Sequence, residues 1–116
     1  MNISNNNKTG NYYIWVDLDN SRHIWDELIQ NHAGIVSMRG FCGPGMETYK
    51  IPQLDGITAI TSTSTNMPDS ADYALFADLL LYVNENPTQS ITIIVVSRDS
   101  SLETACYYMK EKYPTI

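Results

Sequence analysis

Tyr12-Tyr13-Ile14-Trp15-Val16-Asp17-Leu18-Asp19-Asn20 is the stretch that decides the fold. It is rich in β-formers and nearly all apolar before Asp17, so residues 12–18 read as a strand buried on both faces, at the centre of a parallel sheet. Asp17 interrupts that run near its end. A buried carboxylate without partners is costly, so a cation, an arginine or a hydrogen-bond network must accompany it. Asp19-Asn20-Ser21 then offers N-cap chemistry, and Ile24, Trp25, Leu28 and Ile29 recur at helical spacing. A helix therefore follows the strand at once and stops before Gly34.

Working outward, residues 35–41 (IVSMRGF) read as a second strand, after which Gly40, Gly43, Pro44 and Gly45 break the chain. Residues 46–53 form a short helix or turn ended by Pro52, and 56–61 (GITAIT) a third strand. After the polar loop 62–68, Asp69 is an N-cap with Asp72 at the third helical position, an acidic version of the capping box. Ala71, Ala74, Leu75, Leu79 and Tyr82 give the helix over 71–83 an apolar side. A loop with Pro87, a fourth strand over 91–97 and a last helix over 102–112 complete the chain. Strands alternating with helices imply a parallel sheet covered on both faces, joined by right-handed crossovers. The expected fold is a three-layer α/β/α sandwich with four or five parallel strands in the order 3-2-1-4.

A chain of 116 residues accommodates one domain, here 12–116 after a polar, Asn-rich, flexible tail over 1–11. That tail has no apolar core, so it is not a secretory signal. The longest apolar run, 91–96, is too short to span a bilayer, so no membrane association is expected and a cytoplasmic location is. Cys42 and Cys106 lack metal spacing and read as free thiols of a reducing compartment. A net charge of −6 argues against broad, non-specific nucleic-acid binding, unless several acids hold cations and invert the local field.

The acids fall in three clusters. Asp17 and Asp19 follow the first strand. Asp99 follows the fourth, its expected neighbour, and Asp69 and Asp72 open the helix between strands three and four. Helices of such units begin at the edge where parallel strands end, so the clusters converge on one rim, where these folds hold ligands. Asp17, Asp72 and Asp99 there would suit Mg²⁺ or Mn²⁺, hard ions that favour carboxylate and water oxygens. A cation so held polarises phosphoryl oxygens and activates water, which points to phosphate-ester chemistry. Asp19, Asn20, Ser97 and Glu103 would complete the site, and Arg22 and Arg98 would meet phosphates. Asp78 lies about 240° around its helix from Asp72 and so supports rather than joins the ligand set. Acids other than Asp17 also have a plain structural reading: Asp19, Asp69 and Asp72 as caps at helix N-termini, Asp99 as a turn former. The glycine-rich stretch 40–45 lacks the ending of a phosphate loop and reads as a turn.

These residues carry a resemblance. The chain resembles the PIN-like ribonuclease superfamily, nearest its NYN branch, over roughly residues 12–109. A strand ending in D-x-E/D-N is matched by Asp17, Asp19 and Asn20. A helix opening A-D-x-A-L is matched by Ala71, Asp72, Tyr73, Ala74 and Leu75, with Asp78 at a further helical acid. A strand ending S-x-D is matched by Ser97, Arg98 and Asp99, and Glu103 matches a later acid. The resemblance implies an Mg²⁺- or Mn²⁺-dependent endoribonuclease hydrolysing RNA, or a degenerate descendant that only binds or regulates. Ser101 stands where the common S-x-D-x-D ending has a second acid, and the final strand of many members is missing. Asp17-Leu18-Asp19-Asn20 is also similar to the D-x-D loop of haloacid-dehalogenase-like phosphatases, with Asp17 as nucleophile and Asp19 as general acid. No lysine falls between Lys50 and Lys110, where that family's phosphate-binding lysine is expected. RNA is thus the expected partner, and a protein partner or a second copy could cover an exposed edge strand.

Overall fold

The structure, a computed structural model, describes residues 12–64, 70–86 and 92–97. The expected tail over 1–11, the cap Asp69, the last helix over 102–112, and Arg98, Asp99 and Glu103 lie outside the described residues.

Four strands form one parallel sheet: β1 (Tyr12–Asp17), β2 (Ile35–Cys42), β3 (Thr58–Ser62) and β4 (Thr92–Val96), in the order β3-β2-β1-β4. Helix α1 (Leu18–Gln30) connects β1 to β2, and α2 (Ser70–Glu85) connects β3 to β4. The first connection steps one way across the sheet and the second steps back past it. Right-handed crossovers therefore put the two helices on opposite faces. Between β2 and β3 the ambiguous stretch contains a single 3-10 turn, Thr48–Lys50.

The core divides accordingly. Toward α1, Ile14, Val16 and Met38 of the sheet meet Leu18 and Trp25. Toward α2, Trp15 and Phe41 meet Ala71, Leu75, Leu79 and Val83. Alternate residues of β1 thus feed both clusters, which is why its sequence shows no polar alternation. Trp25 closes its own polar account by donating Nε1–H to the Pro52 carbonyl at 2.9 Å. Gly40 lets α1 sit down on β2. A Cβ there would lie 2.6 Å from Leu18 Cδ1 and 2.9 Å from Trp25 Cζ3.

One local expectation changes. The cap of α1 is Asp17, not the Asp19-Asn20-Ser21 stretch. The strand passes into the helix with no intervening loop, so Asp17 is both the last strand residue and the acceptor for the Asp19 amide. Ser21 instead sits at a kink, with φ −134° and ψ 31°, inside the helix.

Candidate functional site

All four strands point their C-terminal ends to one edge, and the described part of the site assembles there. Asp17 ends the central strand, with only 1% of its surface exposed. Its Oδ1 accepts from the Asp19 amide at 3.2 Å, and its Oδ2 from Asn20 Nδ2 at 2.9 Å. Ser97, the residue after β4, places Oγ 3.5 Å from the same Oδ2. All three donors are neutral. Among the described residues no arginine, lysine or histidine pairs with this carboxylate. The hydrogen-bond network demanded by its burial is present; a neutralising positive charge is not supplied by the described side chains.

Asp19 is exposed, and its carboxylate spans back to β2. It accepts from the Gly43 amide at 3.0 and 3.2 Å. That contact joins the start of α1 to the turn after β2 and holds the second carboxylate at the rim. Beside it lies Cys42, a free buried thiol that contacts the Thr61 carbonyl at 3.7 Å. Burial pushes this thiol up from its ordinary value, the Asp19 charge adds to the rise, and a hydrogen bond with Ser62 opposes it.

The start of α2 is tied to the same edge. Thr63, just past β3, donates its amide to the Cys42 carbonyl at 2.9 Å, and its hydroxyl lies 2.8 Å from Ser70 Oγ. Asp72 is therefore carried in the first turn of a helix that begins at the rim, and it is half-buried. Its neighbour Tyr73 is largely exposed.

Two other candidate residues are engaged elsewhere. Asp78, six residues further along α2, accepts from Arg39 Nη1 at 2.7 Å and from Trp15 Nε1 at 2.8 Å. The Arg39 guanidinium lies against both the Trp15 and Tyr82 rings, 5.3 and 5.2 Å from their centroids, and the two rings meet edge-on with centroids 5.4 Å apart. This cluster holds α2 to the sheet. Arg22 bonds Asp26 at 3.0 Å and the Lys50 carbonyl at 3.2 Å, fastening α1 to the 3-10 turn.

The structure thus gathers the Asp17 carboxylate, the Asp19 amide, Asn20 and Ser97 at one point, holds the Asp19 carboxylate on the Gly43 amide, and sets the start of α2 on the same edge. Among the described residues no three His, Cys, Asp or Glu side chains form a metal-binding group. Sequence reading did not foresee the Gly43 amide as an anchor for Asp19. The two are 24 positions apart, and no local pattern links them until β2 is known to lie beside β1. Among the described residues no helix is long and apolar enough to cross a membrane. Comparison with known protein families, curated proteins and solved structures finds no match to this chain.

Proposed function

We propose that this chain is a PIN-like domain of the NYN type that hydrolyses RNA phosphodiesters with the help of Mg²⁺ or Mn²⁺. The observation that carries the reading is Asp17, a fully buried carboxylate at the end of the central strand. It is held by neutral donors alone among the described residues, beside the point where the strand order reverses between β1 and β4. Crevices at such reversals are where parallel sheets take their ligands. The side chains gathered there offer carboxylate, amide and hydroxyl oxygens, the donor set that hard cations prefer.

In this reading Asp17, Asp72 and Asp99 would hold the cation, and the chemistry it would supply is polarisation of a phosphoryl oxygen and activation of water. Asn20 and Ser97 fix the rotamer of Asp17. Asp19, anchored on the Gly43 amide, would orient water at the rim; Glu103 and Arg98, outside the described residues, are assigned the roles of completing the shell and meeting phosphate.

The test pairs a binding readout with an activity readout. Mn²⁺ should raise the melting temperature of the native chain, because a ligand of the folded state stabilises it by mass action. It should not raise that of Asp17→Asn. Mn²⁺-dependent cleavage of single-stranded RNA should fall by about 10²-fold or more in the variant, the scale on which one preorganised electrostatic contact acts. Cleavage at an unchanged rate by pure Asp17→Asn would remove the proposal.

A second reading, a binding or regulatory module on the same scaffold, draws on the lack of a three-ligand group among the described residues and on the net charge of −6. A Mn²⁺-induced rise in melting temperature without RNA cleavage would select it.

A further inference from the structure

The sheet ends differently on its two sides. At the β3 edge the residues are Thr58, Ala59, Ile60, Thr61 and Ser62, with one large apolar side chain among them. At the β4 edge they are Thr92, Ile93, Ile94, Val95 and Val96: four apolar β-branched side chains in succession, with no charge and no proline. Yet none of those side chains is buried, and Ile94 is 38% exposed. The reason is geometric. Among the described residues, α1 and α2 pack chiefly over β1 and β2, so β4 lies to the side of each.

Among the described residues the outer backbone edge of β4 is equally open. The strand pairs with β1 residue for residue, from Tyr12 against Thr92 to Val16 against Val96, with no bulge. Among the described residues no strand pairs with its outer edge. Such an edge presents a row of N–H and C=O groups to any extended chain. Protein sheets usually blunt it with a lysine, a proline or a bulge, and β4 carries none of these.

We propose that β4 is a homodimer interface, pairing antiparallel with β4 of a second copy so that the two four-stranded sheets become one. Three arguments choose a second copy as the occupant. An open strand edge is satisfied by another strand, and a twofold axis perpendicular to the sheet makes one strand its own antiparallel partner. The chain carries a net charge of −6, and an uncharged strand is where two like-charged copies can approach without setting acid against acid. Ile94 is the middle residue of the strand, so an axis there brings the most exposed apolar side chain of β4 against its own copy. Antiparallel pairing also points the two C-terminal edges in opposite directions. The two Asp17 sites would then open at opposite ends of the joined sheet, neither blocking the other.

The competing surface is the outer side of α2, where Tyr73 and Leu81 are 72% and 61% exposed. It offers side chains but no open backbone.

Light scattering on the full chain should give twice the monomer mass at high micromolar concentration. Ile94→Lys should halve that mass while keeping the far-ultraviolet circular dichroism of the native chain; Leu81→Lys should leave the dimer intact. Hydrogen exchange on the native chain supplies a measurement independent of any variant: amides 92–96 should gain protection as concentration rises. A monomer at every concentration overturns the proposal. So does a dimer lost in Leu81→Lys but kept in Ile94→Lys, or protection at 92–96 that ignores concentration.

Discussion

Two carboxylates on the same side of the sheet are treated in opposite ways. Asp78 meets a cation: the Arg39 guanidinium bonds it at 2.7 Å, the Trp15 indole at 2.8 Å, and the arginine rests against two aromatic rings. Asp17 lies deeper, at 1% exposure, and among the described residues it receives an amide N–H, an asparagine NH₂ and a more distant serine hydroxyl. The first arrangement completes a structural clamp between α2 and the sheet. The second holds a carboxylate with neutral donors, with no basic side chain paired to it among the described residues. Helical spacing already set Asp78 apart from the ligand face; its partners show what it does instead.

The largest expected effects test that separation directly. Asp78→Ala strands the Trp15 indole N–H in a fully buried position, and an unsatisfied buried donor costs about 1–3 kcal/mol. The Arg39–Asp78 attraction adds less, because both side chains remain about one-third exposed and screened. Thermal melting should fall by roughly 5–15 °C, and any response to Mn²⁺ should survive. Asp78→Asn, which keeps an oxygen for the indole, should cost distinctly less than Asp78→Ala.

Asp17→Asn should behave the other way. Asparagine caps a helix about as well as aspartate, and the substitution removes a buried charge, so stability should stay within about 1 kcal/mol of the native chain. A loss matching that of Asp78→Ala would erase the contrast and make Asp17 another structural clamp.

A smaller effect reads the field at the rim through Cys42. Burial, aided by Asp19, holds this thiol above its ordinary value of 9.0. The folded chain therefore keeps the proton to higher pH than the unfolded chain does. The stability this contributes is complete below 9.0 and declines as pH rises above it. Alkaline melting curves should show that decline, and Cys42→Ala should remove it. Asp19→Asn should lower the thiol pKa, measured by thiolate absorbance. A thiol that ignores Asp19 would mean that the rim charge is screened.

The smallest effect belongs to the surface. Arg22 and Asp26 form an i,i+4 pair with both side chains more than one-third exposed. Asp26→Ala should cost about 0.3–0.5 kcal/mol, and less in high salt. A larger loss would show that the Arg22 bond to the Lys50 carbonyl depends on Asp26 to hold it.

Residues 12–20 alone determined much of this molecule. An apolar run ending in an acid implied a central parallel strand, and apolar residues at helical spacing implied the helix after it, because burial on two faces and on one helical stripe imposes different periods. The order 3-2-1-4 is expected because that strand, the most apolar, belongs at the centre, and the sheet has that order. Tertiary structure decided what each acid does. Asp17 and Asp78 both occupy motif positions, but only folding brought Arg39 to one and left neutral donors at the other, from residues up to 80 positions away. Charge compensation depends on distance in space, and that distance is set by which strands and helices become neighbours.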